Sequence, residues 1–287
     1  MNRPKITIGV PVYNGAPAIR DCLAALENQT YESYEVLIFD NASTDETEAI
    51  CHEFCEKNDN FQYFRNAETV PATENFELCL THAHGDYFMW RAHDDLSDSH
   101  YLEVLSAALD ADQDAWLACT TCTWNDLPAD YNKTFNTTNT VGLSQFARLK
   151  TQLIECAPLW FYGLYRREPL IPAFAELKAL DAQSIYHCDI LYLCIMLLKG
   201  RIVTTPGATF TGRRLVAKNV GYDKVSSDDH ALAISTYWEI LRMARAEWTF
   251  GPLRRLIIYA LALRYLDRRV VRLKPHLKRR LRERWAA

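Results

Sequence analysis

Over its first hundred residues the chain alternates strand-like and helix-like segments at short intervals, and this alternation limits the possible folds more than any other feature. "KITIGVPV" has the continuous apolar character of a buried strand and stops at the turn signal "YNGAP". Ile19, Cys22, Leu23 and Leu26 then recur at helical spacing as far as Gln29. "YEVLIFD" predicts a second strand. "NASTDETEAICHEFCEK" predicts a second helix, with Ser43 or Thr44 as cap and acids in its first turn. "FQYFRN" is a third strand, Phe76, Leu78, Cys79, Leu80 and Ala83 mark a third helix, and "GDYFMW" is a fourth strand. Alternation with short links predicts a parallel sheet covered on both faces.

Sheets of this kind bind ligands beyond the carboxyl ends of their strands. Three clusters fall at that edge: Tyr13-Asn14-Gly15, the stretch from Asp40 to Asp45, and His93-Asp94-Asp95. After Asp110 the pattern loosens. "DAWLACTT" predicts another strand, and the polar stretch from Asn125 to Thr140, without hydrophobic period, reads as a flap or a surface loop. "APLWFYGLYRREPL" reads as core or as the wall of a sugar site. "CDILYLCIMLLKGRIVTTP" predicts an apolar helix stopped at Gly200, then a strand.

Length and composition bound the class. At 287 residues, with 49% hydrophobic and 24% charged residues, the chain has the size and composition of one large soluble domain or of one domain with an appendage. The opening "MNRPKITIGV" enters a strand without a signal-peptide pattern, and "LIIYALAL" is too short to span a bilayer, so a cytoplasmic protein not integral to the membrane is expected. Nine scattered cysteines fit reduced, buried thiols. Neither Cys119/Cys122 nor Cys51/Cys55 has a partner pair at metal-site spacing. The net charge of −4 hides an asymmetry, for residues from Arg254 onward hold twelve Lys and Arg against two acids.

The ordered pieces "IGVPVYNGAPAI", "LENQTYESYEVLIFDNASTD", "ENFELCLTHAHGDYFMWRAHDD", "FYGLYRR" and "CDILYLCIMLLKG", over roughly residues 5–215, resemble the family 2 glycosyltransferases. The resemblance implies the GT-A fold, an α/β architecture with a mixed, mostly parallel sheet flanked by helices, over residues 1–215. Residues 216–287 are then a helical, basic amphipathic extension. It implies an inverting transfer of sugar from a nucleotide diphosphate sugar, and it assigns roles by position. Pro11 and Tyr13 correspond to the loop that packs the base, Asp40 to the carboxylate accepting from it, and Asp45 to a structural acid. Asp94 corresponds to the contact with ribose and donor sugar, Asp95 to the ligand of Mn²⁺ or Mg²⁺, and Asp189 to the catalytic base. Two positions depart from the pattern: His93 opens the acidic signature where the family has Asp, and Cys188 precedes Asp189 where an acid is common.

The chemistry needs such residues. Hard cations take carboxylate, water and phosphate oxygens, and one held by Asp95 neutralises charge developing on a leaving diphosphate. On an extended segment Asp94 and Asp95 would point to opposite sides, which lets one serve the metal and the other a hydroxyl. A carboxylate opposite the leaving group takes the acceptor's proton. Arg213 and Arg214 in "TFTGRRL" read either as positive charge near the diphosphate on a closing loop or as a solvated basic loop. Tyr13 stacking on a base and Asp40 accepting from its ring N–H would suit uracil or thymine over purines, which favours UDP-sugars, then dTDP-sugars. The expected acceptor is a hydroxyl of a glycan or of a lipid-linked carrier, in surface polysaccharide synthesis. Rival readings are a sugar-phosphate nucleotidyltransferase, which would carry a Gly- and Arg/Lys-rich loop after the first strand, and a non-catalytic binding subunit, which would lack a metal acid or a base. An acidic body argues against nucleic acid as a partner. In the tail, Leu253, Leu256, Ala260, Leu263, Leu266, Val270, Leu273, Leu277, Leu281 and Trp285 form a helical apolar stripe, with Pro275 breaking it in two. That stripe either packs on the protein or lies on an anionic membrane.

Overall fold

The computed structural model describes residues 4–180, 188–215 and 227–271. The chain divides into two compact units: Met1–Gly142 with Leu159–Pro172 and Ile202–Asn219, and Leu143–Pro158 with Ala173–Arg201 and Val220–Ala287.

The first unit holds the sheet. Its strands are β1 (Ile6–Val12), β2 (Tyr34–Asp40), β3 (Phe61–Arg65), β4 (Tyr87–Trp90), β5 (Leu96–Ser97), β6 (Leu117–Asp126), β7 (Tyr131–Phe135), β8 (Leu164–Arg166) and β9 (Ile202–Arg214). Among the described residues their order is β3-β2-β1-β4-β8-β6-β9-β5, with β7 added to β6. β1, β2, β3 and β4 run parallel, as do β6 and β9. β8 is antiparallel to both neighbours, and β5 and β7 are antiparallel to β9 and β6. Between the parallel strands run α1 (Ile19–Glu27), α2 (Thr47–Lys57) and α3 (Ala72–Thr81), and α4 (Tyr101–Ala111) follows β5. β1 and β2 are buried along their whole length, as their mostly apolar runs require of strands covered on both faces, and the buried Thr7 hydroxyl donates to Glu35 Oε1 at 2.6 Å. Fully burying each of Ile6, Ile8 and Val10 contributes about 1.5–3 kcal/mol.

One reading of the sequence changes here and another is narrowed to one of its alternatives. The stretch from Asn125 to Thr140 is not a structureless flap: β7 folds back on β6 as a hairpin, pairing Cys122 to Asp126 with Phe135 to Tyr131. And "LWFY" is core at its centre, with Trp160 and Phe161 buried and Phe161 stacked on Trp90 at 5.1 Å. Tyr162 in turn stacks on Phe210 at 5.3 Å.

The second unit is helical. It contains α5 (Gln145–Glu155), the later turns of α6 (Arg167–Leu180), α7 (Cys188–Leu198), α8 (Ser227–Ala244) and α9 (Pro252–Tyr265). α7 ends as expected at Gly200, whose φ of +70° is left-handed and suits glycine. Trp248 Nε1 donates to Leu198 O at 2.8 Å, and Tyr237 OH donates to Ala262 O at 2.7 Å, tying α7 and α8 to the last helices. α5 and α7 thus cluster with the C-terminal helices, and β9 ends at Arg214. No helix of the described residues is long and apolar enough to cross a membrane.

Candidate active site

The three clusters at the strand ends come together in the first unit. Asn14, at a φ of +49°, donates its backbone N–H to Ser43 Oγ at 2.9 Å and accepts from Thr44 N at 2.9 Å through Oδ1. Gly15 N donates to Thr47 Oγ1 at 2.9 Å. These bonds lace the loop after β1 to the loop after β2. The His93 ring closes on them from the end of β4. A β-carbon on Gly15 would lie 2.4 Å from Val12 Cγ2 and 2.8 Å from His93 Cδ2, so the close approach needs glycine. Burial lowers the His93 pKa and favours the neutral ring.

Asp45 anchors this lacing. It accepts from Ala16 N and Thr47 N, each at 3.1 Å, and from the Thr47 hydroxyl. Burial alone would raise its pKa, but these hydrogen bonds hold it below the usual range. Glu46 is the cap residue of α2, and Asp45 just before it, rather than Ser43 or Thr44, supplies the side chain that meets the first helical N–H. Ser43 turns the other way, donating to Asp40 from both its backbone N at 2.9 Å and its hydroxyl at 2.5 Å.

Asp40 ends β2 fully buried. Besides Ser43, it accepts from Tyr63 OH at 2.6 Å and Arg65 Nη1 at 2.8 Å, both from β3. Arg65 also reaches Ser43 O at 2.8 Å. Two donors on each oxygen fill a carboxylate's ordinary capacity. Sequence pattern alone does not single out Tyr63 and Arg65; the one signal it holds is the charged residue that closes the aromatic-rich strand "FQYFR". Pro11 lies buried in β1 opposite Phe39, and Tyr13 stands half-exposed just beyond the strand.

The acidic pair sits past β4 in a turn closed by Asp95 N to Ala92 O at 3.1 Å. The segment is not extended, so the two side chains are not simply directed apart. Burial pushes Asp95 up to about 8, and the neighbouring Asp94 charge adds to the rise. The repulsion that an extended segment would relieve is thus retained in the fold. Fully buried Arg91 and nearby Arg213 oppose the shift. Arg91 packs its guanidinium over Phe210 at 4.9 Å and donates to Ser97 Oγ at 2.9 Å.

Arg213 is on β9, not on a closing loop. Its backbone N–H donates to Asp95 Oδ1 at 2.8 Å, its Nε to Asp94 O at 2.5 Å, and its Nη1 to Asp21 on α1 at 3.0 Å. Arg214 faces elsewhere, paired with Asp126 through two contacts of 2.9 and 2.5 Å.

No three His, Cys, Asp or Glu side chains converge into a metal cage among the described residues. The donors present still suit a hard cation. Asp95 Oδ2 and both Asp94 carboxylate oxygens accept no hydrogen bond within the described protein, and Asp95 carries the raised pKa that an adjacent cation would lower. A site with one or two carboxylates leaves the remaining positions to water and a substrate's phosphates, the usual manner for Mg²⁺.

Asp189 belongs to the helical unit, in the first turn of α7. Burial raises its pKa, and the N–H of Ile190 at 2.8 Å works against the rise.

Comparison with known proteins gives this arrangement its relatives. The chain is 33% identical over 101 residues to glycosyltransferase GlyA of Streptococcus pneumoniae, 35% of this chain and 14% of that one. It is 29% identical over 108 residues to the putative glycosyltransferase EpsE of Bacillus subtilis, 37% of this chain and 39% of that one. The chain therefore spans well under half the length of these relatives. Among solved structures it superposes on S. aureus TarS 1–349 in complex with UDP-GlcNAc with a TM-score of 0.60 at 16% identity, covering 92% of this chain and 73% of that one. On the mannosyltransferase PcManGT of Pyrobaculum calidifontis, in complex with GDP-Man and Mn²⁺, the TM-score is 0.54 at 19% identity, covering 94% and 71%. These likenesses establish the expected GT-A fold. The model of the glycosyl transferase family 2 matches residues 7–172, more than half of the sequence, and the chain belongs to that family.

Proposed function

We propose that the protein is an inverting, metal-dependent glycosyltransferase that moves a sugar from a nucleotide diphosphate sugar to a hydroxyl of a glycan or lipid-linked acceptor, in the synthesis of a surface polysaccharide. The observation that carries this reading is the pairing of Asp94 and Asp95 with Arg213 at the carboxyl edge of a parallel sheet. Carboxylates with unused oxygens lie there beside a fixed cation. In this reading Asp95 holds Mn²⁺ or Mg²⁺, which supplies charge neutralisation at the diphosphate. Asp94 meets the ribose and donor sugar, and Arg213 adds a second positive charge. Pro11 and Tyr13 pack the base. Asp40 accepts from a ring N–H, which requires it to give up one of its four present donors. Asp189 serves as base for the acceptor hydroxyl.

UDP-sugars are the first choice of donor and dTDP-sugars the second, because a single ring N–H facing one carboxylate suits uracil or thymine. Related folds accommodate both UDP-GlcNAc and GDP-Man, so the choice rests on this chain's own residues. The protein works at the inner face of a membrane, held peripherally by its basic C-terminal part. The test is hydrolysis and transfer across a panel of UDP-, dTDP- and GDP-sugars with Mn²⁺, beside calorimetry of the free nucleotides. Turnover confined to GDP-sugars, or GDP binding more tightly than UDP and dTDP, overturns the donor assignment. No turnover of any donor with any saccharide acceptor overturns the transferase reading.

A further inference from the structure

α9 is apolar on two sides. One side, Ile258, Ala262 and Tyr265, is buried within the helical unit, and the Tyr265 hydroxyl meets Cys156 Sγ at 3.5 Å. The other side is open. Leu253, Leu256, Ile257 and Leu263 are 73%, 66%, 39% and 48% exposed, and Ala260 between them is exposed as well. Steps of three and four place these five residues along one face of the helix. The stripe found in the sequence is therefore, from Leu253 to Leu263, the outward face and not the packing face; Leu266 is buried. Val270 and the later stripe positions, with Pro275, lie outside the residues whose side chains are described.

A contiguous exposed apolar face marks an interaction surface. Its charge says what covers it. α9 carries Arg254, Arg255 and Arg264 and no acid at all. The chain from Arg254 onward holds twelve basic residues against two acidic ones. A second copy of the chain laid against this face would bring arginine toward arginine. An anionic lipid surface instead offers phosphate to the arginines and acyl chains to the leucines, the two contacts an interfacial helix makes.

We infer that the outward face of α9 (Leu253, Leu256, Ile257, Ala260 and Leu263, flanked by Arg254 and Arg264) is the surface by which this protein lies on an anionic membrane. The inference rests on the peripheral-membrane reading above and names its contact. It does not depend on the transferase chemistry, because binding to lipid is measured without turnover.

The experiment is flotation of the full chain with vesicles of phosphatidylglycerol and phosphatidylcholine in equal parts, and with phosphatidylcholine alone. Wild type is compared with Leu256→Glu/Leu263→Glu, with Leu253→Glu, and with Arg254→Gln/Arg264→Gln. All positions are exposed, and circular dichroism verifies the fold of each variant; Leu253→Glu alone serves if the double variant does not fold. The expected result is binding by wild type to the anionic vesicles, weakened at high salt. The leucine variants should lose roughly tenfold or more in partitioning, and the arginine pair roughly tenfold at low salt. If wild type floats and the folded leucine variants float equally well, the membrane reading survives and the assignment to α9 is overturned. If folded wild type does not float at all, both fall. If light scattering shows a wild-type dimer that the leucine variants convert to monomer, without flotation, the face is an interface between copies and the inference is wrong.

Discussion

The backbone N–H of Arg213 donates to Asp95 Oδ1 at 2.8 Å, joining the end of β9 to the acidic turn 118 residues earlier in the chain. The same residue's Nε grips Asp94 O, so both members of the acidic pair are held by one arginine. The side chain is then a fixed cation beside two carboxylates rather than a mobile one. Arg213→Ala keeps the backbone bond and removes the guanidinium. Nucleotide sugar affinity should fall about tenfold, as for loss of one charge-assisted contact. Calorimetry with UDP and Mn²⁺ checks this, and unchanged affinity would remove Arg213 from the donor site.

Asp95→Asn should abolish metal-dependent donor binding and turnover while the chain stays folded. The comparison is UDP binding and sugar transfer with Mn²⁺ and with EDTA, alongside circular dichroism. Wild-type activity that persists in EDTA would sink the metal assignment.

Asp95 also predicts a pH dependence in the metal-free protein. Its folded pKa, about 8, stands above the unfolded value near 3.8. Its favourable, protonated state is therefore fully retained below about pH 4, and the associated stability is lost as pH rises toward 8. The loss is at most about 1.4 kcal/mol per pH unit across that window. Urea unfolding in EDTA should show wild type losing stability between pH 5 and 8.5, in roughly that proportion, relative to Asp95→Asn. Parallel profiles for the two proteins would contradict it.

Asp40 separates a structural role from a binding one. Asp40→Asn loses the charge that Arg65, Tyr63 and Ser43 all address and should cost about 2–3 kcal/mol of stability. Tyr63→Phe removes one donor and opens one acceptor position on Oδ2, which Arg65 Nη1 still holds. If Asp40 receives the base N–H, Tyr63→Phe should bind UDP at least as tightly as wild type. Weaker UDP binding by a stable Tyr63→Phe would mean that the tyrosine hydroxyl, or the intact network, matters more than an open acceptor position on Asp40.

Asp189→Asn should lower transfer rate by about two to four decades with nucleotide affinity nearly unchanged, the pattern expected for loss of a general base. Equal losses in rate and in nucleotide affinity would reassign Asp189 to donor binding or to the packing of α7.

Local pattern alone determined the strands β1 to β4, the helices α1 to α3 and the stop at Gly200, since each depends on periodicity or turn chemistry within a few residues, and the family was legible as a resemblance carried by the ordered pieces over roughly residues 5–215. It also located Asp94 and Asp95 at a strand end, where parallel sheets present their ligand sites. Tertiary structure alone decided who holds them. Arg213 reaches Asp95 only because β9 pairs antiparallel with β5, and Asp40 meets Tyr63 and Arg65 only because β3 registers beside β2. Such partners lie far apart in sequence, and register leaves no trace in the composition of either strand. The hairpin of β6 and β7 escaped for a related reason: its exposed strand, "YNKTF", has no apolar alternation to betray it. On α9 the sequence shows apolar residues on two sides, and periodicity cannot say which side faces a neighbour. Packing of Ile258, Ala262 and Tyr265 settles that, and leaves Leu253, Leu256 and Leu263 facing out.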